Sequence, residues 1–169
     1  MKYLHVLLSF FFILTLSACG GGSSGSDDGD SSVSGANPCG TVVDIGPNSI
    51  INGMLETGDC LVSDVDPTST NDTSFLDEYR VTLDSTGTLT ISMKSVDHDS
   101  ILALLNRSTS CSSGCTPAQA MVIAADDDSG GGVNGEDALI SMDLAAGTYM
   151  IAVTSWLPGT GSYTLETTF

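Results

Sequence analysis

The sequence predicts an all-β domain, a jelly-roll-like β-sandwich of about 8–9 antiparallel strands, behind a signal peptide and a flexible linker. Three features predict this fold. From residue 75 onward, apolar and polar residues alternate over short runs. Glycine-rich turns separate these runs at even spacing. Outside the N-terminus, no window longer than about ten residues has helical periodicity.

The strands follow from the periodicity of each run. Two alternating runs flank a turn at residues 84–87 and predict a hairpin; their inward-facing residues are Tyr79, Val81, Leu83, Leu89, Ile91 and Met93. Residues 101–105 and 121–125 are continuously apolar, which predicts strands that are covered on both faces or lie centrally in a sheet. Alternation returns in the last strands, which contain Ile140–Leu144, Tyr149–Val153 and Tyr163–Leu165.

The N-terminus has the pattern of an export signal. Lys2 precedes an apolar run that ends near Leu16, too short to span a membrane comfortably. Residues 16–19, Leu-Ser-Ala-Cys, resemble the bacterial lipobox. The resemblance implies cleavage after residue 18, a thioether lipid on Cys19 and acylation, as by palmitate, of the new amine. An ordinary signal peptide with an incidental cysteine is the alternative.

These features divide the chain into three parts. Residues 1–18 are the predicted lipoprotein signal peptide, 19–37 a Gly/Ser/Asp-rich tether, and 38–169 the folded domain. Because Gly20 follows the cysteine in place of aspartate, the lipobox resemblance favours the outer membrane over the inner one. We therefore expect a lipid-anchored protein of the bacterial cell envelope.

The remaining four cysteines are an even number in an exported chain, which indicates disulfides. Their spacing favours Cys39–Cys60 and Cys111–Cys115 among the three pairings that four cysteines allow. A redox or zinc role for Cys111 and Cys115 is the alternative, but no second closely spaced cysteine pair accompanies them.

The charge balance restricts the class of partner. The chain carries four Lys and Arg residues against 21 Asp and Glu, a formal net charge of −17. Nucleic acid is excluded as an electrostatic partner, because phosphates would be repelled. The lipid anchor gives the membrane as one partner, and an extracellular polymer or protein is the other that we expect.

Six sequence blocks occur together in the order of a known family. The chain resembles the bacterial pre-peptidase C-terminal domain over about residues 70–169, in the blocks Asp77-Glu-Tyr-x-Val-x-Leu83, Gly87-Thr-Leu-Thr-Ile91, Asp99-Ser-Ile-Leu-Ala-Leu104, Asp126-Asp-Asp-Ser-Gly-Gly-Gly132, Leu144-Ala-Ala-Gly-Thr-Tyr-x-Ile-x-Val153 and Gly161-Ser-Tyr-Thr-Leu165. The resemblance implies a jelly-roll-like sandwich that is not itself a peptidase. Such domains accompany secreted peptidases and assist their secretion, localisation or adhesion, whereas here a predicted anchor and tether precede the blocks.

An acidic, glycine-rich loop is the best candidate for a metal site. It contains Asp126, Asp127, Asp128 and Asp137, and oxygen ligands of this kind suit calcium. The flanking strands exclude an EF-hand. The family resemblance implies that Asp99 joins this loop in space. The alternative is that these carboxylates only cap turns, so no cofactor is required and calcium remains a hypothesis.

Two further positions are candidates for a functional role. Ser100 lies near His98 but in no nucleophile motif, so we expect no enzyme activity. Trp156, followed by Leu157 and Pro158 between the last two strands, is either an adhesion tip or a cover for the sandwich end. We therefore expect a non-catalytic surface lipoprotein that binds an extracellular partner. The alternative is an accessory module for a separately encoded secreted peptidase.

Overall fold

The computed structural model describes residues 31–32, 35–66, 68–106 and 122–169. Two β-sheets contain almost all of its regular structure. The strands are β1 (Ser31–Ser32), β2 (Val43–Ile45), β3 (Ser49–Leu55), β4 (Cys60–Leu61), β5 (Phe75–Leu83), β6 (Gly87–Lys94), β7 (Ser100–Leu105), β8 (Val122–Asp126), β9 (Ala138–Leu144), β10 (Gly147–Ser155) and β11 (Gly161–Thr168). A single helical turn, α1, spans Val62–Val65, and a 3-10 turn spans Val133–Gly135.

The strand order is that of a jelly roll. One sheet has the order β1-β3-β11-β6-β9; the other has the order β2-β5-β10-β7-β8, with β4 paired to β5. The all-β sandwich predicted from the sequence is therefore confirmed. Two N-terminal pairings, β1 with β3 and β2 with β5, are parallel, unlike the antiparallel arrangement expected throughout.

The predicted hairpin across residues 84–87 is wrong. β5 lies in the six-stranded sheet and β6 in the five-stranded one, so the turn crosses from sheet to sheet. The turn between β9 and β10 crosses in the same way. A short turn fixes only that the two strands are near neighbours, and here each strand finds its hydrogen-bonding partner in a different segment of the chain.

The core between the sheets contains the residues that the alternation predicts. Tyr79, Val81, Leu83, Leu89, Ile91 and Met93 are all buried in one cluster, with Leu165 and Ile151 among their partners. Gly53 is required on β3, because a Cβ there would lie 2.3 Å from the ring of Tyr163. The ring thus fills the space that a larger side chain would occupy.

A second, smaller apolar cluster lies on the outer face of the six-stranded sheet. Its buried members are Cys60, Val65, Leu76, Leu105, Met150 and Ala152. The segment between β3 and β5 contributes Cys60 and Val65, so it covers this face of the sheet. This cluster buries the outer face of residues 101–105, so this strand is covered on both faces as the sequence predicts. For residues 122–125 the prediction is wrong, because β8 is an edge strand and Val122 is half exposed.

The Cys39–Cys60 disulfide is formed, as the spacing predicts. It joins the N-terminal segment to the cover on the six-stranded sheet. β1 and the hydrogen bonds of Asn37 lie N-terminal to residue 38 and belong to the described fold. Cys19, Cys111 and Cys115 lie outside the described residues. Within the described ranges, no helix is long and apolar enough to cross a membrane.

Candidate functional site

Four connections meet at one end of the sandwich, which we call the loop end: residues 56–74, 95–99, 127–137 and 156–160. The strand register brings them together, since Gly161 pairs with Leu55 and Ser155 pairs with Ser100. Acidic residues are concentrated there, with five in 56–74, two in 95–99 and four in 127–137. The loop end is therefore a strongly negative surface.

Trp156 and Leu157 form an apolar tip on the loop end. Their exposed fractions are 62% and 70%, so the interpretation of Trp156 as a buried cover is wrong. The tip is held by its backbone. Trp156 N donates to Asp99 O at 3.1 Å, and the buried hydroxyl of Ser155 donates to Leu157 O at 2.8 Å. An exposed aromatic side chain on a backbone held in this way suits a binding contact, because little backbone entropy is lost on docking.

Two of the candidate metal ligands are turn caps. Asp126 accepts hydrogen bonds from the Ser129 amide and hydroxyl and, at 2.8 Å, from Leu139 N. Burial raises the pKa of Asp126, but the bonds from Leu139 and Ser129 outweigh it, so the pKa lies below its usual value. Asp137 is buried and accepts from Ser95 N at 3.2 Å. Both carboxylates hold the acidic loop against its neighbours.

The other three candidates lie together in a like-charge cluster. Burial raises the pKa of Asp99, and the negative charges of Asp128, Glu136 and Asp127 raise it further. Glu136 was not singled out in the sequence; it joins through its carbonyl, which accepts from Ser100 N at 2.9 Å. No side-chain hydrogen bond links these four carboxylates to another described residue. Asp128 is exposed and Asp127 and Glu136 are half-buried, and we call these three the displayed carboxylates. One carboxylate oxygen of Asp99 is buried and makes no hydrogen bond.

In the described structure this cluster does not bring three side-chain ligand atoms within 4.8 Å of one another. Within the described part of the chain, the one set of three candidate ligand atoms lying within 4.8 Å of one another comes from Cys39, Cys60 and Asp64. The two sulfurs there are already joined in the disulfide. Calcium takes six to eight oxygens at roughly 2.3–2.6 Å, so the loop would have to close around the ion.

The arrangement of Ser100 and His98 does not activate a nucleophile. Ser100 is fully buried, and its hydroxyl makes no hydrogen bond. No hydrogen bond joins it to the His98 ring, which packs against Gly161. Burial lowers the pKa of His98 below its usual value, although Asp97 acts in the opposite direction. A catalytic base must reach the proton it removes, and these two side chains do not meet that condition.

A buried polar network lies directly beneath the loop end. Tyr163 donates to Asp77 at 2.5 Å, and Asn37 donates to the other oxygen of Asp77 at 2.9 Å. Burial raises the pKa of Asp77 to about 6 against these bonds, and Asp59 adds to the increase. Asp59 in turn accepts from Asn37 N at 2.6 Å. The network attaches the N-terminal segment to the core. No sequence pattern predicts it, because its members are far apart in the chain.

A groove of 520 Å³ opens on the outer face of the five-stranded sheet beside the loop end. Met54, Val96 and Val133 line it with exposed apolar side chains. Lys94, also in the lining, has its ammonium group 3.7 Å from Glu166. The loop end is thus bordered by apolar as well as acidic surface.

Comparisons with solved structures support the fold. The chain is similar to the pre-peptidase C-terminal domain of a collagenase from Bacillus anthracis, with 18% identity, a TM-score of 0.51, and coverage of 78% of this chain and 98% of that one. It is also similar to PliG, a periplasmic inhibitor of g-type lysozyme from Aeromonas hydrophila, with 15% identity, 83% and 98% coverage and a TM-score of 0.49. A third neighbour is CorA, a surface-associated copper-binding protein of Methylomicrobium album, with 8% identity, 78% and 99% coverage and a TM-score of 0.47.

At 18% identity, the likeness to the first of these structures shows a shared fold and nothing about ligands. The fold expected from the six sequence blocks is confirmed by the first of these structures. No family model matches the chain, and no curated protein matches it either.

Proposed function

We propose that this chain is a non-catalytic, lipid-anchored binding module of the bacterial cell envelope, and that it binds its extracellular partner with the loop end. The observation that carries the proposal is the fixed and exposed tip of Trp156 and Leu157. Exposed apolar side chains cost solubility, and in monomeric proteins such patches mark interaction sites. Tryptophan is also among the residues that contribute most to protein interfaces.

The lipid anchor rests on the sequence of residues 16–19. The direction of β1 is compatible with it. β1 runs parallel to β3, toward the loop end. The N-terminal end of β1 therefore lies on the side of the sandwich opposite the loop end. Attachment at Cys19 would then favour display of the loop end toward the medium. Two or three acyl chains would make such an anchor stable, whereas one would not.

The anchor is tested by fractionation of cells that express the full chain. Replacement Cys19→Ala should release the protein from the membrane fraction, and Ser17→Ala serves as the control because it leaves the lipidated residue in place. Continued membrane fractionation of the Cys19→Ala protein would contradict the anchor.

The binding role is tested with residues 20–169, which contain every described element of the fold. Retention on insoluble peptidoglycan or collagen fibrils should be measured for the parent protein, for Trp156→Ala and for Val122→Ala. Val122 is a matched control, since it is half exposed on an edge strand. Loss of retention in Trp156→Ala alone is the expected result. Retention that Trp156→Ala leaves unchanged would contradict a binding role for the tip.

The alternative function is an accessory module for a separately encoded secreted peptidase. The family resemblance over residues 70–169 and the shared fold favour it. In that case the partner on the loop end is a protein. Failure of both polymers to retain the domain, together with Trp156-dependent binding to a secreted peptidase, would select this alternative.

A further inference from the structure

We propose that the partner of the loop end is a cationic protein surface, one that presents lysine or arginine side chains beside an apolar patch. This inference rests on the proposed binding role of the tip and specifies the chemistry of its partner. It follows from three features of the described structure: the apolar tip, the carboxylates beside it, and the distribution of charge between the ends of the sandwich.

The tip and the carboxylates are held next to each other. The backbone carbonyl of Asp99 accepts the hydrogen bond of Trp156 N, so the two residues lie side by side at the loop end. Asp127, Asp128 and Glu136 lie close enough to Asp99 to raise its pKa. The result is an aromatic contact with a negative border.

Lysine and arginine complement this border better than other side chains do. Their apolar stems pack on aromatic and aliphatic surface while the charged head remains in a polar environment. A cation over the face of tryptophan is attracted by the ring itself, and tryptophan is the strongest of the aromatic residues in this respect. The same side chain could therefore contact the Trp156 ring and pair with a displayed carboxylate.

The mutual repulsion of the displayed carboxylates would be relieved by such a partner. Asp126, Asp137, Asp97 and Asp66 are each occupied by hydrogen bonds within the fold. Asp99, Asp127, Asp128 and Glu136 have no such partners among the described residues. The charges of Asp127, Asp128 and Glu136 are therefore available to a binding partner and would also accelerate the approach of a cation.

Charge complementarity also explains why a cationic partner would bind at the loop end and not at the other end. The described turns at the other end, 46–48, 84–86 and 145–146, contain one acidic residue, Asp84. A cationic surface would therefore be oriented toward the loop end before contact. General attraction by the net charge of −17 would act without this preference.

The test is a calorimetric titration of residues 20–169, in chelator, with a short lysine-rich peptide that contains two leucines. The same peptide with glutamate in place of lysine is the control probe. Because Trp156 is the single tryptophan of the chain, its fluorescence reports whether the peptide reaches the tip. We expect binding of the lysine peptide only, with a change in fluorescence and weaker affinity at higher salt.

Two matched pairs of variants separate the tip from general charge. Trp156→Ala is compared with Val122→Ala, and Asp128→Asn with Asp84→Asn, where both aspartates are exposed loop residues. We expect Trp156→Ala and Asp128→Asn each to weaken binding by about twofold to fivefold, the range of an exposed charged or cation–π contact. The two control variants should leave the affinity unchanged.

Three results would overturn the inference. Equal weakening by Asp128→Asn and Asp84→Asn would mean attraction by net charge alone. Equal affinity for a chitosan oligomer would mean that any polycation suffices and that no protein surface is selected. Absence of peptide binding, combined with Trp156-dependent retention on peptidoglycan or collagen, would reject the cationic partner while the proposed binding role stands.

Discussion

The two ends of the sandwich are built from the same strands, but their described residues differ in almost every surface property. At the loop end, long connections present acidic side chains and an apolar tip that is 62–70% exposed. At the other end, the described turns are two or three residues long and nearly uncharged. In a jelly roll the strands supply the rigid frame, and one set of loops is free to carry function.

The connections of the loop end are stabilised by several kinds of contact. A disulfide, a buried Asp77–Tyr163 network and several carboxylate caps hold its connections in place. The described turns at the other end have no disulfide and no buried carboxylate of this kind. The comparison therefore predicts that substitutions at the loop end change stability far more than equivalent ones at the other end.

The largest effect should come from the disulfide. Replacement of Cys39 and Cys60 by serine opens a loop with a sequence separation of 21. We expect a loss of about 3 kcal/mol in the free energy of unfolding, measured in denaturant, because the unfolded chain regains entropy. Asp84→Ser at the other end is the control and should change little. An undiminished free energy of unfolding would mean that hydrogen bonds such as that from Asn37 secure the segment unaided.

The second effect is a change in the free energy of unfolding with pH, of up to about 3 kcal/mol, caused by the titration of Asp77. Its pKa is raised by burial to about 6, so the folded state binds more protons than the unfolded state between about pH 4 and 6. The contribution of Asp77 to stability is therefore present at low pH and is lost as pH rises through 6. Asp77→Asn removes this titration.

The measurement is the difference in melting temperature between the parent protein and Asp77→Asn at several pH values. The melting temperature of the parent protein should fall relative to that of the variant as pH rises from 4.5 to 7. A difference that is constant over this range would contradict a raised pKa for Asp77. Asp84→Asn at the other end is the control for the loss of one carboxylate.

The third prediction distinguishes structural from displayed aspartates within the loop end itself. Asp126→Ala should cost about 1–2 kcal/mol, because it leaves the amides of Ser129 and Leu139 without their acceptor. Asp128→Ala should cost almost nothing, since its side chain has no partner among the described residues. Thermal melts of the two variants at neutral pH test the distinction, and equal losses would contradict it.

The smallest effect expected is that of calcium. A melt of residues 20–169 in chelator and then in millimolar calcium should show a rise in melting temperature if the displayed carboxylates close around the ion. Asp127→Asn combined with Asp128→Asn should abolish that rise, while Asp84→Asn should keep it. If calcium does not raise the melting temperature of the parent protein, these carboxylates bind no calcium and are available to a cationic partner.

Sequence patterns predicted the parts of the fold that depend on local order. Alternation identified the strands, because side chains of a strand point to opposite faces in turn, and the inward residues from Tyr79 to Met93 are indeed buried. The spacing of Cys39 and Cys60 was sufficient for their pairing. Alternation cannot show which strands pair. It predicts a hairpin across the 84–87 turn, whereas the two strands lie in different sheets.

Local patterns in the sequence are sufficient to predict the all-β class, the core residues, one disulfide and a strongly acidic surface. The role of each acidic residue, in the fold or on the surface, depends on the tertiary structure. Asp126 and Asp128 are alike in the sequence, yet one receives the amide of Leu139, 13 residues away, and the other receives nothing. Such differences arise from contacts between distant segments, and a local pattern holds no record of them.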